Sequence, residues 1–167
     1  MAHIRWFGVV LGASVTVLLT WLLGVVGASA IARLLAEAPG GVVLKTFHEA
    51  LGLGAVFLAV LLAFFLGGLA TGLTVFTSPG TNGLTSAAAV AAGALVWSLV
   101  AFFPVLLDPI SNPGEVYTRT ENLQMFLVQV GAVCAICPFA VVAGYLGGRL
   151  GGRIRTSASD ATVGSGH

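Results

Sequence analysis

The residues of this chain that could carry chemistry are few, and they fall into three groups. Cys134-Ala-Ile-Cys137 sets two thiols three positions apart, followed at once by Pro138. On a helix that spacing brings both to one face, and a C-x-x-C pair can cycle between dithiol and disulfide. His48-Glu49, together with Asp108, Glu115 and Glu121, offers imidazole and carboxylate groups that could hold a metal, although no spacing among them demands one. Ser14, Thr16, Thr20, Thr71, Thr74, Ser98 and Gln129 are polar groups inside apolar runs. Gln129 is the strongest hydrogen-bonding group of that set and is expected to bond a neighbouring helix. No Walker, G-x-S-x-G or H-E-x-x-H motif is present, and Gly147–Gly152 lacks the preceding strand of a dinucleotide loop. His3, His48 and His167 all lie outside the apolar runs, which disfavours b-type haem. No cofactor and no metal are expected.

The elements that must position these groups follow from the charges. Of 167 residues 57% are hydrophobic and 8% charged, with seven basic and six acidic side chains and a net charge of +1; mean hydropathy is +1.04. Thirteen charges are too few to cover a water-soluble globule of this size, and the balance offers no clustered basic surface for nucleic acid. No charge lies between Arg5 and Arg33, between Glu49 and Asp108, or between Glu121 and Arg149, gaps of 27, 58 and 27 residues. A spanning helix needs about 20 apolar residues, so the gaps hold one, two and one helices. The middle gap divides at Thr77-Ser-Pro-Gly-Thr-Asn-Gly83, where Pro-Gly and Asn-Gly are turn signals. The fold class is all-α: a polytopic membrane protein of four transmembrane helices arranged as two tandem helical hairpins. The expected spans are 6–32, 50–76, 84–107 and 123–148. They make a four-helix domain over 1–155, followed by a flexible polar tail over 156–167. The first span, about twice the length of a signal-peptide core, is read as retained. Helices one and two are expected to project beyond the bilayer on either side of Pro39-Gly40-Gly41. The loop from Asp108 to Glu115, with two prolines, is expected to be irregular.

Four spans with a C-x-x-C in the fourth resemble the vitamin K epoxide reductase family. That resemblance implies a membrane thiol oxidoreductase with Cys134 and Cys137 as its redox pair. The family relays electrons through a second cysteine pair, and this chain has no third cysteine. Counted from Leu123, Cys134 lies about 16 Å into the bilayer at 1.5 Å per residue, where thiolate formation is disfavoured. The preferred reading makes both cysteines small apolar fillers beside a proline that removes the hydrogen bond to the Cys134 carbonyl.

Small residues recur every four positions along each span. The first has Gly8, Gly12, Thr16, Thr20, Gly24 and Ala28; the second has Ala55, Ala59, Ala63, Gly67 and Thr71, with Gly68 and Gly72 alongside. The third offers Gly83, Ala87 and Ala91, and the fourth ends with Ala140, Gly144, Gly148 and Gly152. Helix association in lipid depends on close backbone approach and interhelical hydrogen bonds, which such glycine-zipper ridges permit. A weak internal repeat aligns Phe65-Leu-Gly-Gly-Leu-Ala-Thr-Gly72 with Tyr145-Leu-Gly-Gly-Arg-Leu-Gly-Gly152. The segment around Gly67-Gly-Leu-Ala-Thr-Gly72, the Asn82-Gly83 turn and the Ala/Gly-rich third span is similar to small four-span bacterial membrane proteins of the YrzE type. That resemblance implies architecture and no mechanism, since the family has no established activity.

No ionisable residue falls inside a span, which removes most support for proton relays and voltage sensing. The functional expectation is therefore a non-enzymatic integral membrane protein: an accessory or structural subunit, or a small homo-oligomer. Its partners are the lipid bilayer and other membrane helices. A pore or carrier for a small solute is the alternative, and the Cys134/Cys137 oxidoreductase a lesser one. Arg5, Arg149, Arg153 and Arg155 lie on one side against Arg33, Lys45 and Arg119 on the other. The dense C-terminal cluster places both termini in the cytoplasm of a multi-pass cell-membrane protein.

Overall fold

Long apolar runs without charge become helices in lipid because only a helix satisfies its own backbone within one segment. A computed structural model of the protein describes residues 5–37, 42–107, 111–112, 115–116 and 119–164. Four helices follow one another: α1 (Trp6–Glu37), α2 (Val42–Thr74), α3 (Pro79–Leu107) and α4 (Arg119–Gly164). Each contains a stretch long and apolar enough to cross a membrane: Trp6–Gly27, Gly54–Thr74, Pro79–Ala101 and Phe126–Ser159. The protein is an integral membrane protein with four spanning helices. Between α3 and α4, where an irregular loop was expected, β1 (Ser111–Asn112) and β2 (Glu115–Val116) pair antiparallel, Ser111 opposite Val116. Pro39-Gly40-Gly41 and Asp108 lie outside the described residues; α1 and α2 reach to Glu37 and back from Val42.

Two boundaries differ from the sequence reading. The third helix begins at Pro79 rather than 84, so Asn82 and Gly83 are helical and not turn residues. Proline suits the first helical position, where its missing N–H has no partner to lose. Ser78 just before it takes a left-handed backbone (φ 49°), and its carbonyl accepts the Asn82 N–H at 3.1 Å. The turn is thereby confined to the residues between Thr74 and Pro79. The second difference is the expected flexible tail, which is helical as far as Gly164. Between Arg153 and Val163 there is no glycine or proline to stop it. The Thr156 and Ser157 hydroxyls fold back onto the Arg153 carbonyl at 2.8 and 3.1 Å.

The packing is set by glycine. α4 lies against α2 and α3, α1 lies against α2 and α3, and α1 does not touch α4 among the described residues. On α2, a methyl group at Gly68 or Gly72 would run into the backbone of Gly144 or Gly148, at 2.8 and 2.9 Å from their carbonyl carbons. The two repeat-like segments thus face each other as parallel helices, shifted by one turn. Gly147 and Gly151 extend that contact onto the backbone of Phe65 and Leu69. Across α3 and α4, Gly83 meets Gly144 and Gly148, Gly144 meets Ala87, and Gly148 and Gly152 meet Pro79. Between α1 and α2, a Cβ at Gly12 would lie 2.6 Å from the Gly67 carbonyl oxygen. A small apolar core of Phe64, Ala87, Ala91 and Ala140, flanked by Val60, Ile136 and Cys137, fills the α2–α3–α4 junction. Phe57 and Phe139 close it edge to face at 6.1 Å.

Candidate functional site

Cys134 is exposed on α4 and Cys137 half-buried; both are free thiols. The Cys137 sulfur faces the Ala91 carbonyl of α3 at 3.9 Å. Proline 138 sits inside α4 without ending it. The pair is thus divided between the exposed surface of α4 and a helix contact, and the Ala91 carbonyl is the polar group that the structure gives Cys137 among the described residues. Of the expected metal-ligand set, the side chains of His48 and Glu49, and Asp108 altogether, lie outside the described residues. Glu115 falls in β2 and Glu121 is exposed in the first turn of α4. Among the described residues no three His, Cys, Asp or Glu side chains come together.

The polar residues inside the spans instead form a helix junction. Thr16 and Thr71 are almost wholly buried, as is Ser86 of α3. The Thr71 hydroxyl lies 3.1 Å from the Gly8 carbonyl of α1 and 3.0 Å from Gly67 of its own helix. Thr16 donates to Gly12 at 2.8 Å. Threonine here bonds the neighbouring backbone only because Gly8, Gly12 and Gly67 leave room for it. The hydroxyls of Ser86 and Thr20 are buried without a hydrogen-bond partner. Gln129, expected to bond a neighbouring helix, is exposed on α4 and bonds none among the described residues. Its amide faces outward because the α2- and α3-facing side of α4 is taken up by small and apolar residues. Trp21 and Trp97 also face outward rather than filling helix contacts. Trp21 borders a shallow groove of about 550 Å³ along α1.

Two residues matter more than their sequence context suggests. Asn82 is fully buried and uses both ends of its amide. Its Nδ2 donates to the carbonyls of Thr77 and Ser78 at 2.9 and 3.0 Å, and its Oδ1 accepts the Arg5 N–H at 2.9 Å. It therefore ties the start of α1 to the α2–α3 turn. Arg155 reaches from α4 to the end of α2, donating to the carbonyls of Val75 and of Gly72, the latter at 3.3 Å. Its guanidinium also stacks 4.1 Å from the centre of the Phe76 ring. The last carbonyls of a helix have no partner within it and carry its negative pole, so this cation caps α2. The asparagine read as a turn former and the arginine as a topology charge; only the approach of distant segments reveals these roles.

The arrangement brings together backbones and lacks a gathered set of reactive groups among the described residues. No family model matches the chain, and no curated protein and no solved structure matches it.

Proposed function

We propose that the protein is a non-enzymatic membrane subunit that binds other transmembrane helices through the small-residue positions its own fold leaves open. One observation carries the reading. Gly24 of α1, Gly54 of α2, Gly93 of α3 and Gly131 of α4 each have nothing within 4 Å of where a Cβ would stand. By contrast, Gly8, Gly12, Gly67, Gly68, Gly72, Gly83, Gly144, Gly147, Gly148, Gly151 and Gly152 are all tightly packed. The α1 ridge thus packs at Gly8 and Gly12 and offers bare backbone at Gly24, while Gly54, Gly93 and Gly131 are open positions beside the ridges of the other three helices. A bare backbone in lipid is what close helix association uses. The outward amide of Gln129, two residues from Gly131, supports the same reading, since an unpartnered amide in an apolar span gains from a donor or acceptor on another helix.

The test is the mass of the particle released from membranes in a mild detergent, with its protein components identified. A homo-oligomer, or a complex of fixed stoichiometry, is expected. A monomer free of other proteins at every detergent concentration that preserves the fold overturns the proposal. The same reading keeps both termini in the cytoplasm, on the basic cluster Arg149, Arg153 and Arg155 together with Arg5. A phosphatase fused after His167 should be inactive and a fluorescent protein there active; the reverse result inverts the topology.

A further inference from the structure

We propose that the groove between α2 and α4 is a binding site for an anionic glycerophospholipid, its phosphate held between Arg149 and Arg153. The groove, of about 340 Å³, is lined by Phe65 of α2 and by Leu146, Arg149, Leu150 and Arg153 of α4. The four α4 residues fall at i, i+3, i+4 and i+7, so they form one stripe on that helix. Beside them, Gly147 and Gly151 let α4 sink onto the α2 backbone at Phe65 and Leu69. The large side chains flanking those glycines, Leu146 and Leu150, are left standing over the seam, about half exposed. Phe65 forms the opposite wall. An acyl chain laid against Phe65, Leu146 and Leu150 meets apolar carbon.

The two arginines mark the polar end. Gly148 packs on Gly72 near the end of α2, so Arg149 lies within about one turn of the place where that helix leaves the apolar layer. Arg153 is one turn further on, about 6 Å along the axis. Both are exposed, and neither guanidinium meets a carboxylate among the described residues. The contrast with Arg155 is informative. It points half a turn away around α4 and has its charge engaged by the Gly72 and Val75 carbonyls and the Phe76 ring. One arginine of the cluster serves the fold, and the other two stand over an apolar groove with their donors unused by the protein.

A guanidinium offers paired N–H donors that match the oxygens of a phosphate. Two of them a helical turn apart present more positive charge than one phosphodiester neutralises. The site therefore favours a lipid of net negative charge over a zwitterionic one, whose headgroup would bring a cation to the same place. Basic pockets between transmembrane helices are known to take such headgroups. This inference stands apart from the proposed helix partners, which concern other positions.

The experiment measures lipid binding to the full chain in detergent by native mass spectrometry, titrating phosphatidylglycerol against phosphatidylcholine of the same chains. The wild type should prefer phosphatidylglycerol by about tenfold, equivalent to about 1.4 kcal/mol, since the two arginines face one added net negative charge. The double variant Arg149→Gln/Arg153→Gln should bring that preference to about twofold or less, with helical content unchanged. Leu150→Trp, which fills the groove and leaves both arginines in place, should weaken phosphatidylglycerol binding on its own. It also decides the matter if the double variant fails to fold. Equal binding of the two lipids by the wild type overturns the proposal, as does full preference in the double variant or wild-type binding in Leu150→Trp. Inorganic phosphate displacing phosphatidylglycerol at equal concentration would also overturn it, because the acyl groove would then contribute nothing.

Discussion

Replacing Gly68 with alanine puts a single methyl group where two helix backbones meet. The added carbon would stand 2.8 Å from the Gly144 carbonyl carbon and 2.9 Å from its Cα, with the carbonyl oxygen nearer still. Ordinary contact begins at 3.4 Å, so α2 and α4 must part by at least half an ångström, and backbone atoms cannot turn aside as a side chain can. A gap of about 0.5–1 Å forfeits a quarter to a half of the dispersion energy of each contact pair. The loss reaches beyond one pair, because Gly72 on Gly148 and Gly151 on Leu69 lie on the same seam. Overpacking of this kind costs about 1–3 kcal/mol. Alanine returns somewhat under about 1 kcal/mol through its better helix propensity, leaving a net loss of about 1–2 kcal/mol. Gly24→Ala supplies the control: with open space around it, only the propensity gain remains, and stability should hold or rise by about 0.5–1 kcal/mol. Reversible unfolding in mixed micelles, titrated with an anionic detergent and followed by tryptophan fluorescence, should separate the two variants by about 2 kcal/mol, roughly thirtyfold in the equilibrium constant. Equal shifts for Gly68→Ala and Gly24→Ala would refute the packing argument.

Three further outcomes follow from the same contacts. Arg155→Gln removes the cation from the end of α2 and should lower stability by about 1–2 kcal/mol in the same titration, given the usual strength of charge-assisted hydrogen bonds at a half-exposed site; no change would mean the cap is idle. Ser86→Ala deletes a buried hydroxyl without a partner and should leave stability unchanged or raise it by up to about 1 kcal/mol. A loss would show that the hydroxyl is bonded. Cys134→Ser and Cys137→Ser should each leave folding unaffected, and both wild-type thiols should take up maleimide once the chain is denatured in SDS, without prior reduction. A disulfide that blocks both would contradict the structure.

Much of the architecture was legible because charge is so costly in lipid that its absence marks the spans. What the charge gaps cannot locate is where a helix stops beyond the apolar layer. The polar stretch after Arg155 looks like a tail by composition, yet lacks any residue that breaks a helix before Gly164. Pro79 and Asn82-Gly83 carry turn signals, but here the proline opens α3 and the asparagine turns its side chain back onto the residues before it. The small-residue ridges were visible as periods, and the sequence could not say which members are used within the chain. Gly12 and Gly24 have the same type and fall on the same ridge, yet one touches Gly67 and the other touches nothing. That difference depends on how the helices diverge, a property of the whole bundle. Gln129 shows the limit from the other side: its chemistry asks for a partner, and the fold does not supply one among the described residues.

The central claim is that the open small-residue positions meet another protein. The most direct measurement attaches a thiol-directed photo-crosslinker at Gly24→Cys, in a Cys134→Ser/Cys137→Ser background, and illuminates native membranes. The account predicts a discrete protein adduct of fixed mass, absent when the label is carried at Leu22→Cys, an exposed position about 200° away around α1. Lipid adducts alone at both positions would contradict it.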